Sequence, residues 1–211
     1  MRKKALFVLA HLDDEAFSAG TIKKMTDDGI EVSILIICGN GNAIDDMRPG
    51  IFKKNLELMG ASGYTFKYFD LTLPYLGLDA IVELKEAIFR VIDNSQCDMV
   101  FTNNSGDLHS DHRTVSELVR TVCRPRSCNV ETLYECYVPG STEYGTGTDE
   151  FKTIVDISNT IQTKQQCMLN YGRYLKGASS YETAKYSSQY YGDLYNFNYA
   201  EIFKMLWDRS L

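Results

Sequence analysis

An apolar run over residues 5–10 leads directly into a dense cluster of ionisable side chains, and this junction constrains the fold more than any other feature. The run has the length and composition of a buried strand. Carboxylates packed this closely raise one another's pKa and repel unless a cation or bound protons compensate. The junction therefore predicts a buried first strand whose carboxyl end carries a functional loop. Four of the next five residues are ionisable: His11, Asp13, Asp14 and Glu15.

A second cluster of the same kind stands further along the chain. Residues 99–101 are apolar, and His109, Asp111 and His112 follow shortly after them. The chain contains 3 histidines, and all of them fall in the two clusters. Imidazole and carboxylate groups are common ligands of catalytic zinc. We therefore predict a metal site that is assembled from two loops, in an enzyme.

Segments with strand character alternate with segments of helical periodicity along the chain. This alternation predicts an α/β fold, with a Rossmann-like, mostly parallel sheet flanked by helices. In the common strand order, strand 1 lies between strands 2 and 4, and ligands bind there, at the carboxyl ends of these strands. The two clusters follow strands 1 and 4, which places the metal site at this point. The predicted strands are residues 5–10, 31–38, 64–69, 98–102, 132–138 and 152–157. The predicted helices are residues 15–28, a helix that begins at Pro49 and ends at Gly60, a long helix capped by Asp79, residues 113–123 and residues 159–175.

The bulk properties narrow the class of protein. A chain of 211 residues that is 44% hydrophobic suits a single domain over residues 1–211. The net charge of -6 argues against nucleic acid or a membrane surface as the main partner. No apolar run approaches the roughly 20 residues of a membrane span. The six cysteines lack CxxC spacing, which is typical of reduced thiols in a cytoplasmic protein, and a homo-oligomer is compatible with the sequence.

The predicted metal ligands are His11, Asp14 and His112. His11 and Asp14 stand three residues apart across the turn into a helix, so both side chains can face one ion. Three protein ligands with one open position are the usual arrangement of catalytic zinc, and a water in that position becomes a nucleophile near neutral pH. We predict Zn²⁺, while iron or another divalent metal would suit the same ligands.

The remaining ionisable groups of the two clusters suit acid–base chemistry. Asp13 is left over beside the metal and is the best candidate for the general base. His109 could stabilise an oxyanion or protonate a leaving nitrogen. Asp111 could orient an imidazole by hydrogen bonding, and His109 is the partner we predict for it. Such a site suits metal-assisted hydrolysis of an amide.

At these positions the sequence resembles a known family. AHLDDE at residues 10–15 is similar to the AHPDDE signature of the PIG-L or LmbE-like, GlcNAc-phosphatidylinositol deacetylase-like enzymes, and HSDHR at 109–113 is similar to their HxDHR signature. VPGSTEY at 138–144 and AEIF at 200–203 resemble two further family segments, VPSSTEW and AExF. The resemblance implies a Rossmann-like fold and removal of acetyl groups from N-acetylated amino sugars and related conjugates, usually with zinc.

The resemblance also implies residue roles. His11, Asp14 and His112 would be the ligands, Asp13 the base, and His109 with Asp111 a supporting pair. Leu12 replaces the usual proline of the first motif without removing a functional group. Arg48 matches a position that contacts substrate in relatives, although Ile51 stands where relatives often carry an acid. The remaining substrate-binding candidates are Asn40, in the glycine-rich turn after strand 2, and Glu143 and Tyr144, in the VPGSTEY segment.

These observations predict a zinc-dependent N-deacetylase that releases acetate from a small N-acetylated amino sugar or amino-sugar conjugate. One alternative is a metal-dependent hydrolase of another amide, such as that of a thiol-sugar conjugate. A second alternative is a metal- or sugar-binding module without turnover; Asp13 speaks against it, because binding alone requires no base. A nucleotide-binding oxidoreductase is disfavoured, because acids rather than glycines follow the first strand.

Overall fold

The computed structural model describes residues 2–38, 47–66, 73–147 and 150–209. Within these ranges one sheet of 7 strands has the order β3-β2-β1-β4-β5-β7-β6. The strands are β1 (Lys4–His11), β2 (Glu31–Cys38), β3 (Ser62–Thr65), β4 (Met99–Thr102), β5 (Thr132–Cys136), β6 (Thr153–Asp156) and β7 (Ala200–Asp208). The α-helices are α1 (Asp14–Phe17), α2 (Ala19–Asp27), α3 (Arg48–Met59), α4 (Leu78–Ser95), α5 (Ser110–Val122), α6 (Ile161–Asn170) and α7 (Tyr181–Leu194).

The central strand β1 pairs in parallel with β2 on one side and β4 on the other. Strands β3 and β5 continue the parallel part outward. The other edge is antiparallel, since β7 runs against both β5 and β6. The predicted Rossmann-like, mostly parallel sheet is confirmed, as is the position of strand 1 between strands 2 and 4. The carboxyl ends of β1 and β4 therefore meet at the point where the strand order reverses.

Successive side chains of β1 point to opposite faces of the sheet, and each face is covered by helices. Phe7 and Leu9 belong to a buried cluster that includes residues of α1, α2, α3 and α6. Leu6 and Val8 belong to a second buried cluster, with residues of α4 and α5. This two-sided burial explains why β1 reads as a continuous apolar run rather than an alternating one.

The carboxyl-terminal part differs most from the prediction. The helix expected over residues 159–175 extends only over Ile161–Asn170. The tyrosine-rich tail forms α7, and the strand β7 that follows it was not predicted. Two charged residues interrupt the apolar pattern of β7: Glu201, whose carboxylate is buried against Lys164 at 2.9 Å, and Lys204.

Smaller differences concern the ends of elements. The first helix is divided at Ser18 into α1 and α2. Asp79 lies inside α4, and Gly77 occupies the N-cap position instead. The third strand ends at Thr65, and residues 67–69 of its predicted range lie outside the described residues. None of the described helices has the length and apolarity that crossing a bilayer requires.

Candidate metal centre

The loops after β1 and β4 meet in an open cleft of about 380 Å³. This volume falls in the range of small-molecule sites, about 300–1,000 Å³. The lining of the cleft combines ionisable groups with aromatic and polar side chains. Its lining residues are His11, Asp13, Asp14, Phe17, Arg48, His109, His112, Val138, Ser141, Tyr174, Leu175, Lys176 and Ser179.

The backbone of the first loop is strained at Asp13. Asp13 has φ 120°, a conformation that side-chain-bearing residues rarely adopt. Its N–H donates to Glu15 Oε2 at 3.0 Å, and the fully buried Glu15 also lies 3.4 Å from Asn55 Nδ2 through its Oε1. Asn55 is itself anchored, because its Oδ1 accepts a hydrogen bond from Asn170 at 2.8 Å. A buried polar network thus holds the Asp13 peptide in its strained conformation.

Asp14 is buried at the start of α1 and contacts both histidine-bearing segments. Its Oδ2 accepts hydrogen bonds from the His11 N–H at 3.0 Å and from Asn103 Nδ2 at 3.1 Å. Its Oδ1 lies 3.3 Å from His112 Nε2. Asn103 also accepts the Ala10 N–H at 2.8 Å and so ties β1 to the residue directly after β4. Asn103 was not predicted as a site residue, although a polar residue that directly follows a buried strand is the sequence signal for it.

In the second loop, Asp107 supports His112. Asp107 Oδ1 lies 3.3 Å from His112 Nδ1 and accepts the His109 N–H at 2.7 Å. Its carboxylate also accepts hydrogen bonds from the hydroxyls of Ser141 and Thr142, so it joins this loop to the VPGSTEY segment. A carboxylate behind a metal-binding imidazole fixes the ring orientation and its tautomer. The sequence analysis did not single out Asp107.

Asp111 contacts a different histidine from the predicted one. We expected its carboxylate to orient His109, but Asp111 Oδ2 lies 3.0 Å from His11 Nε2. Its Oδ1 accepts the Leu73 N–H at 2.7 Å, which directs the carboxylate toward β1. Asp111 contacts His109 through its backbone and not through its carboxylate. The Asp111 N–H donates to His109 Nδ1 at 3.2 Å, and His109 thereby caps α5.

The three imidazoles lie against one another in the cleft, where His112 is buried and His109 is exposed. The ring centroid of His109 is 4.7 Å from that of His11 and 4.8 Å from that of His112. One nitrogen from each ring lies within 4.8 Å of the other two. Asp14 is equally close, with its carboxylate 3.9 Å from His11 Nδ1 and 3.3 Å from His112 Nε2. This set of nitrogen and oxygen donors suits zinc, and the far nitrogens of His11 and His112 already face carboxylates.

The charges around these imidazoles shift the pKa values strongly. Burial lowers the pKa of His112, but the carboxylates of Asp14 and Asp107 outweigh burial and raise it to about 10. Burial likewise disfavours the charged form of Asp14, but His112 and His11 hold its pKa well below the ordinary value. The adjacent Asp13 behaves in the opposite way, because burial and the charges of Asp14 and Glu15 raise its pKa well above the ordinary value.

The substrate-binding candidates have different locations. Arg48, at the start of α3, is half-buried and lines the cleft, with its guanidinium carbon 5.5 Å from the ring centre of Tyr174. Glu143 turns back on its own loop, where both carboxylate oxygens accept the Gly140 N–H at 2.6 and 2.7 Å. Tyr144 is 64% exposed, and neither it nor Glu143 is among the described residues that line the cleft. Asn40 lies outside the described residues.

The fold and the site together define a Rossmann-like α/β protein with a candidate His/Asp metal centre at the switch point of its sheet. The PIG-L family, described as GlcNAc-PI de-N-acetylase, matches residues 6–123, which is more than half of the chain and includes both histidine clusters. The chain therefore belongs to the PIG-L family, and the resemblance found in its motifs is confirmed.

A curated relative is a probable N-acetyl-alpha-D-glucosaminyl L-malate deacetylase 2 from Bacillus cereus, which is 30% identical over 142 residues. This match covers 59% of the present chain and spans 63% of the relative's length.

Solved structures of two other proteins share the fold. An N,N'-diacetylchitobiose deacetylase from Pyrococcus horikoshii is 20% identical, with a TM-score of 0.75 over 97% of this chain and 84% of that one. GalB, a 4-carboxy-2-hydroxymuconate hydratase from Pseudomonas putida, is 17% identical, with a TM-score of 0.78 over 99% of this chain and 98% of that one. A deacetylase and a hydratase thus have this architecture, so the activity must be argued from the residues of the site.

Proposed function

We propose that this protein is a metal-dependent N-deacetylase that hydrolyses the acetamide of an N-acetylated amino sugar or amino-sugar conjugate and releases acetate. The observation that carries the proposal is the position of Asp13. Its carboxyl lines the cleft beside the imidazole cluster, and its pKa is raised toward the range in which a carboxylate can accept and return a proton. A module that only binds metal or sugar has no use for such a group.

The proposed cofactor is Zn²⁺, held by His11, Asp14 and His112. When bound, zinc would supply a water of lowered pKa and polarise the amide carbonyl. The donors fit this ion, because Asp14 lies within 3.9 Å of both imidazoles and each of these rings has a second carboxylate on its other side. Iron or another divalent metal would fit the same nitrogen and oxygen donors.

Asp13 and His109 would have different roles in the reaction. Asp13 would take the proton from the attacking water and later deliver it to the departing amine. His109 is exposed and lines the cleft beside the two other imidazoles, where it would stabilise the developing oxyanion. Burial and the charges of His112 and His11 lower the pKa of His109, so it would act as a neutral hydrogen-bond donor.

The acetylated substrate is proposed to be small and polar. The cleft of about 380 Å³ accommodates a monosaccharide conjugate, and Arg48 and Tyr174 form part of its wall. The relative named as a glucosaminyl malate deacetylase supports an amino-sugar conjugate as the substrate class. We further propose a cytoplasmic location, which the six free cysteines support.

The proposal is tested by the metal content of the purified protein together with acetate release from a panel of N-acetylated amino sugars and their conjugates. The expected result is about one zinc per chain and acetate release that a chelator abolishes and added zinc restores. Metal binding without acetate release from the whole panel would contradict the deacetylase assignment and favour hydrolysis of another bond. A protein that takes up no divalent metal would contradict the assignment of the metal centre.

A further inference from the structure

A cysteine lies next to the candidate metal centre and has no part in the proposed reaction. Cys38 is the last residue of β2 and pairs in register with His11 on β1. Cys38 Sγ, a ring nitrogen of His11 and a carboxylate oxygen of Asp111 lie within 4.8 Å of one another. Three donors from three different elements, β1, β2 and α5, therefore converge on one point.

We propose that His11, Cys38 and Asp111 form a second metal site, selective for thiophilic divalent cations, that competes with the catalytic centre for His11. The thiolate gives this site its selectivity, because soft sulfur ligands favour zinc, cadmium and cobalt over magnesium or calcium. The candidate catalytic centre has only nitrogen and oxygen donors, so sulfur distinguishes the two sites.

The spacing of the donors is close to that of a zinc site. Zinc bonds of 2.0–2.3 Å in a tetrahedron place neighbouring ligand atoms about 3.3–3.8 Å apart. His11 Nε2 and Asp111 Oδ2 are already 3.0 Å apart, and the largest separation in the trio closes with a movement of about 1 Å. Asp111 is held in place by the Leu73 N–H on its Oδ1, which leaves Oδ2 for the cation.

The two sites compete because of the chemistry of one imidazole. A neutral histidine has one nitrogen with a free lone pair, and the other nitrogen carries the proton. His11 Nε2 faces Asp111 at 3.0 Å, while His11 Nδ1 faces Asp14 at 3.9 Å. A cation on Nε2 displaces its proton and leaves the ring protonated at Nδ1, so His11 cannot bind a metal at the candidate catalytic centre. Binding also releases the thiol proton of Cys38 to solvent.

The predicted consequence is inhibition by excess zinc. This consequence rests on the proposed function, whereas the existence of the site does not. Metal at the thiolate-containing site withdraws His11 from the set of His11, Asp14 and His112. Activity should therefore rise as the catalytic centre fills and fall as a molar excess of zinc occupies the second site.

The site is tested by titrating the metal-free, reduced protein with Co²⁺ and Cd²⁺ and recording near-ultraviolet absorption. Thiolate coordination produces a charge-transfer band that nitrogen and oxygen ligands do not. The wild type should develop the band, and Cys38→Ser should lose it. Cys128→Ser is the matched control, because Cys128 is half-exposed and would account for adventitious thiolate binding; this variant should keep the band. A wild type without the band, or a Cys38→Ser variant that retains it, would overturn the proposal.

Acetate release then tests the competition separately. Each variant is compared with its own activity at one molar equivalent of zinc, and Cys38→Ser should lose less of that activity in excess zinc than the wild type and Cys128→Ser do. Equal inhibition of all three would overturn the competition for His11. If the protein develops the charge-transfer band but releases no acetate, the second metal site is supported and only the proposed function is contradicted.

Discussion

The loop after β1 and the loop after β4 both bring charged side chains into the cleft, but they hold them in opposite ways. In the first loop a strained Asp13 stands beside two further acids, and its pKa is raised. In the second loop burial disfavours charge on Asp107, but His112, Ser141 and the His109 N–H outweigh burial and lower its pKa. We infer that the first loop holds a carboxylate suited to proton exchange, and that the second holds a carboxylate that keeps its charge.

The two loops also differ in the strain of their backbone. A backbone in a rarely occupied conformation costs about 1–3 kcal/mol and persists only where its surroundings hold it. The network of Glu15 and Asn55 provides this restraint at Asp13. The second loop has no comparable strain among its described non-glycine residues, since the positive φ values fall elsewhere. We infer that the carboxylate of the first loop takes part in proton transfer, whereas the Asp107 carboxylate of the second loop positions an imidazole.

The largest expected effect separates the two histidines of the second loop. His112→Ala should abolish stoichiometric metal binding and activity, since His112 lies against Asp14 and has Asp107 behind it. His109→Ala should retain the metal and lose most of its turnover. Elemental analysis of both variants decides the assignment. Metal loss in His109→Ala with metal retained in His112→Ala would exchange the two roles.

Asp13→Asn should lower kcat by about 10²–10⁴-fold, the usual contribution of a general base. Its metal content should stay at the wild-type level, because the change removes a base and not a ligand. Asp98→Asn is a matched control at the opposite end of β1 and β4, where the Asp98 carboxylate accepts the Lys4 N–H at 2.7 Å. Near-wild-type turnover in Asp13→Asn would refute the contrast between a reactive and a fixed carboxylate.

Asp107→Asn tests the support in the second loop. Removing the charge behind a metal-binding imidazole weakens metal affinity by about 10–100-fold. Competition with a chromophoric chelator measures this affinity. Glu135→Gln is the control, because its buried carboxylate holds the same loop through Asn104 and Ser105 without contacting an imidazole. Equal metal affinity in the two variants would mean that Asp107 only packs the loop.

Glu15→Ala should destabilise the protein by about 1–3 kcal/mol, because the part-buried Asp13 N–H loses its acceptor. The variant should also lower kcat more than it changes KM. Urea unfolding and steady-state kinetics measure the two effects. Glu201→Gln removes another buried carboxylate that accepts two backbone N–H groups, those of Gly20 and Thr21, and should leave kcat much less affected. A similar loss of kcat in both variants would assign Glu15 a purely structural role.

The smallest effect is a difference in pH dependence between the loops. Burial raises the pKa of Glu15 from 4.5 to about 7, so its contribution to the stability of the metal-free protein is lost as pH rises through this window. The lowered pKa of Asp107 acts in reverse, and its contribution is lost as pH falls below the ordinary carboxyl range. The loss at rising pH, on the order of 1 kcal/mol per pKa unit, should be smaller in Glu15→Gln, because Asp13 and His112 also have raised pKa values and keep their own contributions. Unfolding curves for the wild type and this variant between about pH 5 and 8 measure the difference; parallel pH dependence would contradict it.

Much of the fold was predictable because it depends on local patterns. The bounds of β2 were predicted without error, since Val32 and the apolar residues 34–38 stand between two glycines in the sequence, Gly29 and Gly39. The ends of β1 and β4 could be placed together, because parallel strands in this order meet at the switch point. By contrast β7 was missed, because Glu201 and Lys204 interrupt its pattern and find their partners only in the folded chain.

By itself the sequence determined the family, the order of the elements up to β6 and the two clusters that meet in the cleft. These properties depend on motifs and periodicities that span a few residues each. Only the tertiary structure decided which carboxylate faces which imidazole, that Asn103 joins β1 to β4, and that Cys38 lies beside His11. Each of these contacts joins segments that are distant in sequence, such as Ala10 and Asn103, which are separated by 93 residues. No local pattern encodes a contact of that kind, because it depends on how the strands align in the sheet.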